Sequence, residues 1–126
     1  MPATRLVIVE QQGRLAPRFR AAVRHQPAEV IEAKDASDIG KKLADAPKAF
    51  VVIEHAGDLA KTVSLLEYAL PWDARCFVFL STGTSSEAEM VLRTAGAIQL
   101  FDHIPPFDQL SAWVDRWVRS TSAISP

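Results

Sequence analysis

The sequence FVVIEHAGD, residues 50–58, decides the fold. Its apolar run ends at Glu54, and the chain turns soon afterwards at Gly57. A short apolar run without polar alternation is typical of a strand that is buried on both faces, as in a parallel sheet. Glu54 therefore lies at the end of a predicted central strand. Whether this carboxylate is functional or only ends the strand depends on the residues elsewhere in the sequence.

Four other short segments predict strands, and each of the five strands is followed by an amphipathic segment that predicts a helix. The predicted strands cover residues 6–9, 29–33, 49–53, 76–80 and 97–101, and the predicted helices cover residues 15–25, 36–44, 59–70, 86–95 and 107–119. This alternation predicts an α/β fold, a three-layer sandwich with a parallel sheet between two helical layers. Right-handed crossovers favour the flavodoxin-like (βα)5 arrangement with strand order 2-1-3-4-5.

Residues at helix ends support these boundaries. Asp58 is placed to cap the third helix, and Ser86 with Glu89 forms the pattern of a capping box for the fourth. Gly96 follows the fourth helix and is typical of a helix C-terminus.

Length and composition limit the function. The chain has 126 residues, a net charge of −1 and one cysteine, Cys76. This length fits one domain, which we place at residues 1–119, followed by a small, polar and flexible tail at residues 120–126. The balanced charge gives no general attraction to nucleic acid or membranes, and a lone cysteine excludes a disulfide framework. We therefore expect a soluble cytoplasmic protein.

Two longer stretches carry a resemblance to a known family. They are VLRTAGAIQLFDHIPPFDQL, residues 91–110, and IEAKDASDIGKKLADAPKAFVVIE, residues 31–54. The first resembles the part of response-regulator receiver domains that runs from the fourth helix to the fifth, with its alanine-glycine-alanine and its proline-phenylalanine-aspartate. The second resembles their second strand, second helix and third strand. The sequence is thus similar to the CheY-like receiver domains of two-component signalling over nearly the whole chain.

The resemblance implies a set of site residues at the carboxyl ends of the strands. In receiver domains an acidic pair after the first strand holds Mg²⁺, and an aspartate after the third strand accepts the phosphoryl group. The matching positions here are Glu10 with Gln11 for the acidic pair, and Glu54 for the phosphoacceptor. Ser81 matches the hydroxyl residue that receivers carry after the fourth strand.

Several departures from the receiver pattern change the expected chemistry. The lysine that receivers carry after the fifth strand is missing, and the nearest matches are His103 and Pro105. Gln11 removes a charge that a hard cation prefers, and Glu54 is one methylene too long for in-line transfer. Without lysine the transferred group loses a fixed counter-ion. These departures predict a degenerate receiver, a pseudo-receiver, in which Glu54 either imitates a phosphorylated state or is a solvated or hydrogen-bonded strand-end carboxylate.

Candidate interfaces lie on the first and last helices. The first helix is basic, and Arg18 is its candidate contact for a protein partner such as a signalling kinase or regulator, although a solvated basic face explains the same pattern. Trp113 and Trp117 lie one turn apart on the last helix and belong either to the core or to an interface. The resemblance to receivers suggests a homodimer through the fourth helix, the fifth strand and the fifth helix.

Two main classes of function remain open. One is a phosphorylation-independent pseudo-receiver, not an enzyme, that acts as a protein-interaction module in two-component-type signalling. The alternative is a flavodoxin-like domain that binds a small ligand or phosphate with the hydroxyl-rich loop from Ser81 to Ser86, for which a loop with a helix cap is the simpler interpretation. A third option is an unusual receiver that is phosphorylated. Nucleotide-binding and zinc-ligand patterns are missing, so we expect no cofactor and no metal.

Overall fold

The computed structural model describes residues 4–44 and 49–124, with side chains as far as residue 119. The strands are β1 (Thr4–Val9), β2 (Ala28–Ala33), β3 (Ala49–Glu54), β4 (Arg75–Phe79) and β5 (Ala97–Phe101). The helices are α1 (Leu15–Ala22), α2 (Ala36–Leu43), α3 (Leu59–Ala69), α4 (Ser86–Ala95) and α5 (Phe107–Ile124), and a single 3₁₀ turn (Leu70–Trp72) follows α3.

The five strands form one parallel sheet in the order β2-β1-β3-β4-β5. This confirms the predicted flavodoxin-like topology. Val9 of β1 pairs with Ile53 of β3, and Glu54 of β3 pairs with Phe79 of β4. The carboxyl ends of β1, β3 and β4 therefore meet at one edge of the sheet, which is the usual place for a site in this fold.

The sheet separates two hydrophobic cores. Successive side chains of a strand point to opposite faces, so Leu6 and Ile8 of β1 enter one core while Val7 and Val9 enter the other. The first core is completed by α1 and α5, and the second by α2, α3 and α4. Each large side chain that is buried in this way contributes roughly 1.5–3 kcal/mol of hydrophobic free energy. The continuous apolar runs are thus explained by burial on both faces.

Several helix boundaries differ from the prediction. Helix α4 is capped by Ser85, whose Oγ accepts the Ala88 N–H at 3.1 Å, so the predicted capping box at Ser86 is wrong by one residue. Ser85 has the extended backbone that a capping residue needs (φ −74°, ψ 159°). Helix α1 ends at Ala22, earlier than predicted, because a turn closed by a hydrogen bond from Gln26 N to Val23 O follows before Pro27.

The last helix is longer than predicted. Helix α5 continues past Arg119 to Ile124, because residues 120–124 contain neither glycine nor proline to end it. The side chains of residues 120–126 lie outside the described part of the structure, so the predicted flexibility of this segment stays a prediction. Among the described residues, every helix is too short or too polar to cross a lipid bilayer.

Candidate functional site

A crevice of about 270 Å³ lies at the carboxyl ends of the strands. Its lining includes the side chains of Gln12, Arg14, Glu54, His55, Ser81 and His103. Three of the residues matched to receiver site positions, at the ends of β3, β4 and β5, are thus brought together. The shared edge of a parallel sheet explains this, because each residue lies at the carboxyl end of its own strand or within two residues of it.

Glu10 does not line this crevice but caps helix α1, and together with Gln11 and Glu54 it lines a smaller cavity of about 30 Å³. Its Oε1 accepts the backbone N–H of Leu15 at 2.7 Å, and its Oε2 accepts that of Ala16 at 2.8 Å. The first N–H groups of a helix have no partner within the helix, and a negative charge there is favourable. Arg14, the N-cap residue, makes no capping bond with its side chain. Both carboxylate oxygens of Glu10 therefore serve the local structure of the β1–α1 connection.

Glu54 is paired with an arginine from the same β1–α1 connection. Its Oε2 lies 2.9 Å from Arg14 Nη2, and the carboxylate side chain is only 11% exposed. A charge-assisted hydrogen bond is stronger than a neutral one, although Arg14 is 58% exposed and solvent weakens the ion pair. The pair joins the β1–α1 connection to the end of β3. Glu54 is thus a hydrogen-bonded carboxylate, and its imitation of a phosphorylated state stays a prediction.

His55 forms the buried floor of the crevice. Its backbone N–H donates to Phe79 O at 2.9 Å, and its ring Nδ1 lies 2.7 Å from Thr62 Oγ1. The Thr62 hydroxyl donates to Asp58 O at 3.2 Å, so its oxygen is left to accept a proton that we assign to Nδ1 of His55. Burial lowers the pKa of His55 below 6.5, and the nearby Asp58 carboxylate opposes this in part. His55 is therefore mainly neutral at pH 7.

The hydroxyl groups of the loop after β4 form hydrogen bonds within the loop itself. Thr84 Oγ1 donates to Ser81 O at 2.7 Å and lies 3.3 Å from Ser81 Oγ. Ser85 caps α4. These contacts hold the loop in a turn at the mouth of the crevice. They match the simpler interpretation, in which the hydroxyl-rich sequence builds a loop and a helix cap.

The segment after β5 brings an imidazole to the position where receivers have lysine. His103 is exposed, and its Nδ1 lies 2.6 Å from Asp102 Oδ1. Pro105 is buried and supplies no polar side chain. The sequence contains no lysine after Lys61, so no lysine can follow β5.

The residues of this edge do not fit a magnesium site. Mg²⁺ requires oxygen ligands in nearly ideal octahedral geometry. Both oxygens of Glu10 already accept backbone N–H groups, Glu54 accepts from Arg14, and Gln11 offers only an uncharged amide. Within residues 4–44 and 49–119, no group of three or more histidine, cysteine, aspartate or glutamate side chains could hold a metal ion.

The three interface candidates occupy different environments. Arg18 is exposed on α1. Trp113 and Trp117 are half-buried, and their rings stack on Phe101 at 4.5 Å and on Phe77 at 4.2 Å between centroids. The indoles thus combine a core role with an exposed edge.

Comparison with solved structures identifies the fold. The receiver domain of a putative LuxO repressor from Vibrio parahaemolyticus is 16% identical, with a TM-score of 0.72, and the match covers 94% of this chain and 92% of that chain. A CheY-like receiver domain from Methanospirillum hungatei JF-1 is 15% identical, with a TM-score of 0.74 and coverage of 97% and 98%. The beryllofluoride-activated NtrC4 receiver domain dimer is 12% identical, with a TM-score of 0.70 and coverage of 93% and 98%.

The chain has the fold of a response-regulator receiver domain. This confirms the resemblance that was identified in the sequence. The sequence itself matches no protein-family model and no curated protein. At these identities the comparison establishes the receiver fold, and the chemistry at the edge of the sheet depends on the residues that are present there.

Two residues of the crevice were missed as site residues by the sequence analysis. Arg14 was one of several arginines near the first helix, and the sequence analysis assigned no role to His55. A signal for Arg14 existed, because it lies in the connection after β1, and β1 was predicted next to β3. The contact of His55 with Thr62 joins two residues that follow β3, and periodicity alone does not indicate which way a residue in a turn faces.

Proposed function

We propose that this domain is a phosphorylation-independent pseudo-receiver that works as a protein-interaction module in two-component-type signalling. Its receiver fold supports the signalling class. The observation that carries the proposal is the engagement of both carboxylates: Glu10 caps α1, and Glu54 is bound by Arg14. A cation would have to displace backbone donors to bind Glu10, and it would compete with the Arg14 guanidinium at Glu54. The proposal assigns no catalytic residue, so the domain would act by binding a partner protein.

The geometry at Glu54 supports the same conclusion. Phosphoryl transfer depends on positioning and on charge stabilisation of the transferred group. Arg14 supplies one positive charge, but it is already bound to the group that would have to act as nucleophile. His103 is paired with Asp102 and therefore does not replace an unpaired lysine.

Incubation with Mg²⁺ and acetyl phosphate, followed by intact-mass measurement, tests this proposal. We expect the mass to stay unchanged, and we expect the amide NMR signals around the crevice to stay unchanged with Mg²⁺ and beryllofluoride. An active receiver domain treated in parallel shows that the reagents work, and Glu54→Gln is the matched variant. A phosphoryl adduct that disappears in Glu54→Gln would refute phosphorylation independence.

We also propose a homodimer through α4, β5 and α5. Met90 and Val91 of α4 are exposed, Met90 by 69%, and Ile98 of β5 is also exposed. Exposed apolar side chains of this size on neighbouring elements favour an interface. Equilibrium sedimentation should show a dimer that Met90→Glu weakens and the control Ser64→Glu does not. A monomer throughout the high micromolar range would refute it.

Binding of a small ligand or phosphate by the loop from Ser81 to Ser86 is the less supported candidate. The hydroxyl groups of Ser81 and Thr84 bind each other, and Ser85 caps α4.

We keep the cytoplasm as the proposed location, based on the lone cysteine and the balanced charge of the sequence. Arg18 remains the proposed contact on α1 for a kinase or regulator, since it is exposed.

A further inference from the structure

The crevice at the carboxyl ends of the strands contains hydrogen-bond acceptors that no described residue occupies. Four of its lining side chains carry such an acceptor, at the ends of three neighbouring strands: Glu54, His55, Ser81 and His103. The side chain of each is bound to another residue of the chain. These contacts fix where the protons lie and leave one acceptor on each side chain for a ligand.

His55 offers the lone pair of Nε2. Its Nδ1 donates to Thr62 Oγ1, and burial lowers the pKa of the ring, so His55 is mainly neutral at pH 7 and Nε2 carries no proton. Among the described residues Nε2 has no hydrogen-bond partner, and no unpartnered side-chain nitrogen or oxygen of those residues is buried. Nε2 therefore belongs to the 4% of His55 that is exposed, in a residue that lines the crevice.

His103 and Ser81 offer two further acceptors. A carboxylate only accepts, so Nδ1 of His103 donates to Asp102 at 2.6 Å, and in the neutral ring the lone pair lies on Nε2. Thr84 uses its hydroxyl proton on Ser81 O at 2.7 Å. In the 3.3 Å contact between the two hydroxyl groups Ser81 is therefore the donor, and its oxygen keeps its lone pairs.

Glu54 supplies a negative charge to the same crevice. Arg14 binds Oε2, whereas Oε1 has no partner among the described residues and is accessible. The carboxylate side chain is only 11% exposed, and a charge that is shielded from water attracts an opposite charge more strongly. Arg14 is the positively charged side chain of the lining when the imidazoles are neutral, and it is already bound to Glu54. The lining therefore suits a cationic donor better than an anion.

A primary ammonium group has the chemistry that these acceptors require. It carries one positive charge and three N–H donors and has no acceptor of its own. A metal ion needs its ligands at about 2 Å, and no group of three or more acidic, histidine or cysteine side chains in the described part of the chain could hold one. An ammonium donates over about 2.9 Å and also through bridging waters, so its acceptors can lie further apart.

The rest of the lining fits the stem of a lysine side chain. Ala56, Phe79, Leu80 and Ile104 contribute to the lining of the crevice. Lysine buries its four-carbon stem along apolar surface while the ammonium group keeps its polar partners. The volume of about 270 Å³ equals that of roughly nine water molecules, so one lysine side chain fits together with bridging waters.

We propose that the crevice binds a lysine side chain of a partner protein, with the ammonium paired to Glu54 Oε1 and bound to Nε2 of His55 and His103 directly or through water. This inference rests on the proposed role as an interaction module and gives the partner a chemistry. The crevice is separate from the proposed dimer face, because Met90 and Ile98 do not line it.

NMR of the isotope-labelled full chain with a short peptide, one lysine between glycine and serine residues, tests the proposal. We expect saturable shifts of the His55 Nε2 nitrogen, which accepts a hydrogen bond in the complex, and of the amides of Ser81 and His103. Peptides with norleucine, acetyl-lysine or glutamate in place of lysine lack the ammonium. Each should bind at least about tenfold more weakly, a difference of ~1.4 kcal/mol.

Variants with matched controls identify the groups that bind the ammonium. Glu54→Gln removes the charge and should weaken binding at least about tenfold, whereas Glu67→Gln on the exposed face of α3 should leave it unchanged. His103→Ala should also weaken binding, and His25→Ala, at an exposed position, should not. Arg14→Ala should strengthen binding, because it removes a competing cation and releases the second oxygen of Glu54. An anion site would respond to Arg14→Ala in the opposite direction.

Several outcomes would overturn the proposal. They are absence of binding by the lysine peptide, equal binding of the norleucine peptide, an unchanged His55 Nε2 signal at saturation, and weaker binding by Arg14→Ala. Binding of n-butylammonium without binding of the lysine peptide would assign the crevice to a small amine instead of a protein. Inorganic phosphate that moves the same signals would assign it to an anion. Phosphorylation at Glu54 is measured separately, so failure of one proposal does not imply failure of the other.

Discussion

Arg14 Nη2 lies 2.9 Å from Glu54 Oε2, and this ion pair links the connection after β1 to the end of β3. The next residue along the edge, Glu10, is bound to the first backbone N–H groups of α1. A metal cation would have to displace the donors of Glu10 and compete with Arg14 at Glu54. The two contacts together show how a receiver fold can keep carboxylates at its edge while those carboxylates bind other groups of the same chain.

Removal of the Arg14 side chain should destabilise the domain modestly. We expect Arg14→Ala to lower the free energy of unfolding by about 1 kcal/mol or less, because the guanidinium is largely solvated. The double variant Arg14→Ala/Glu54→Gln should lose less unfolding free energy than the two single variants lose together, with a coupling energy of about 0.5 kcal/mol. Urea unfolding of all four proteins measures this cycle. Strict additivity would show that the ion pair contributes nothing.

Glu10→Ala should destabilise the domain more clearly. Loss of both capping hydrogen bonds at the start of α1 should cost about 1–2 kcal/mol of unfolding free energy, and Glu10→Gln, which keeps an acceptor oxygen, should cost less. Urea unfolding provides the measurement. Glu67→Ala on the exposed face of α3 is the control and should change stability little. If Glu10→Ala and Glu67→Ala behave alike, the capping role is wrong.

His55 should make stability depend on pH. Since burial lowers the pKa of His55 in the folded state, the unfolded chain binds more protons. Stability due to this residue should therefore be complete above the unfolded pKa, roughly 6.5, and should be lost progressively as the pH falls below it. Urea unfolding at several pH values between roughly 7.5 and 5, a range that brackets this pKa, measures how the free energy of unfolding changes with pH.

Two variants identify the source of this pH dependence. His55→Gln should reduce the slope relative to the unmodified protein over the same range, because glutamine does not titrate. His25→Gln, at an exposed position, should leave the slope unchanged. A slope that responds to His25 and ignores His55 would contradict the assignment.

Gly96→Ala should destabilise the junction between α4 and β5. Gly96 has φ of 126°, a backbone conformation that L-residues avoid, and an added Cβ would lie 3.3 Å from Leu70 Cδ2. We expect a loss of about 1–3 kcal/mol in unfolding free energy. In a Leu70→Ala background the contact is absent, so the loss that remains measures backbone strain. A loss near zero in both backgrounds would show that the junction relaxes freely.

The sequence by itself determined the strands, their order and the edge at which the site lies. Unbroken apolar runs such as residues 50–53 require burial on both faces of a sheet, and the short connections between strands and helices leave few topologies. The caps at Asp58 and Gly96 were confirmed, because they depend on the backbone within a single turn. The N-cap of α4 was placed one residue too late, and the ends of α1 and α5, which carry no such local signal, were misjudged.

Only the tertiary structure decided which partners the charged residues take. The contact between Arg14 and Glu54 spans forty residues of sequence, and the bulge at Ile98 depends on how β5 aligns with β4. The local sequence determines which side chains are present and the periodicity of apolar residues in each helix or strand. The partner that a long, flexible side chain selects depends on which segments of the chain the fold brings within hydrogen-bonding distance.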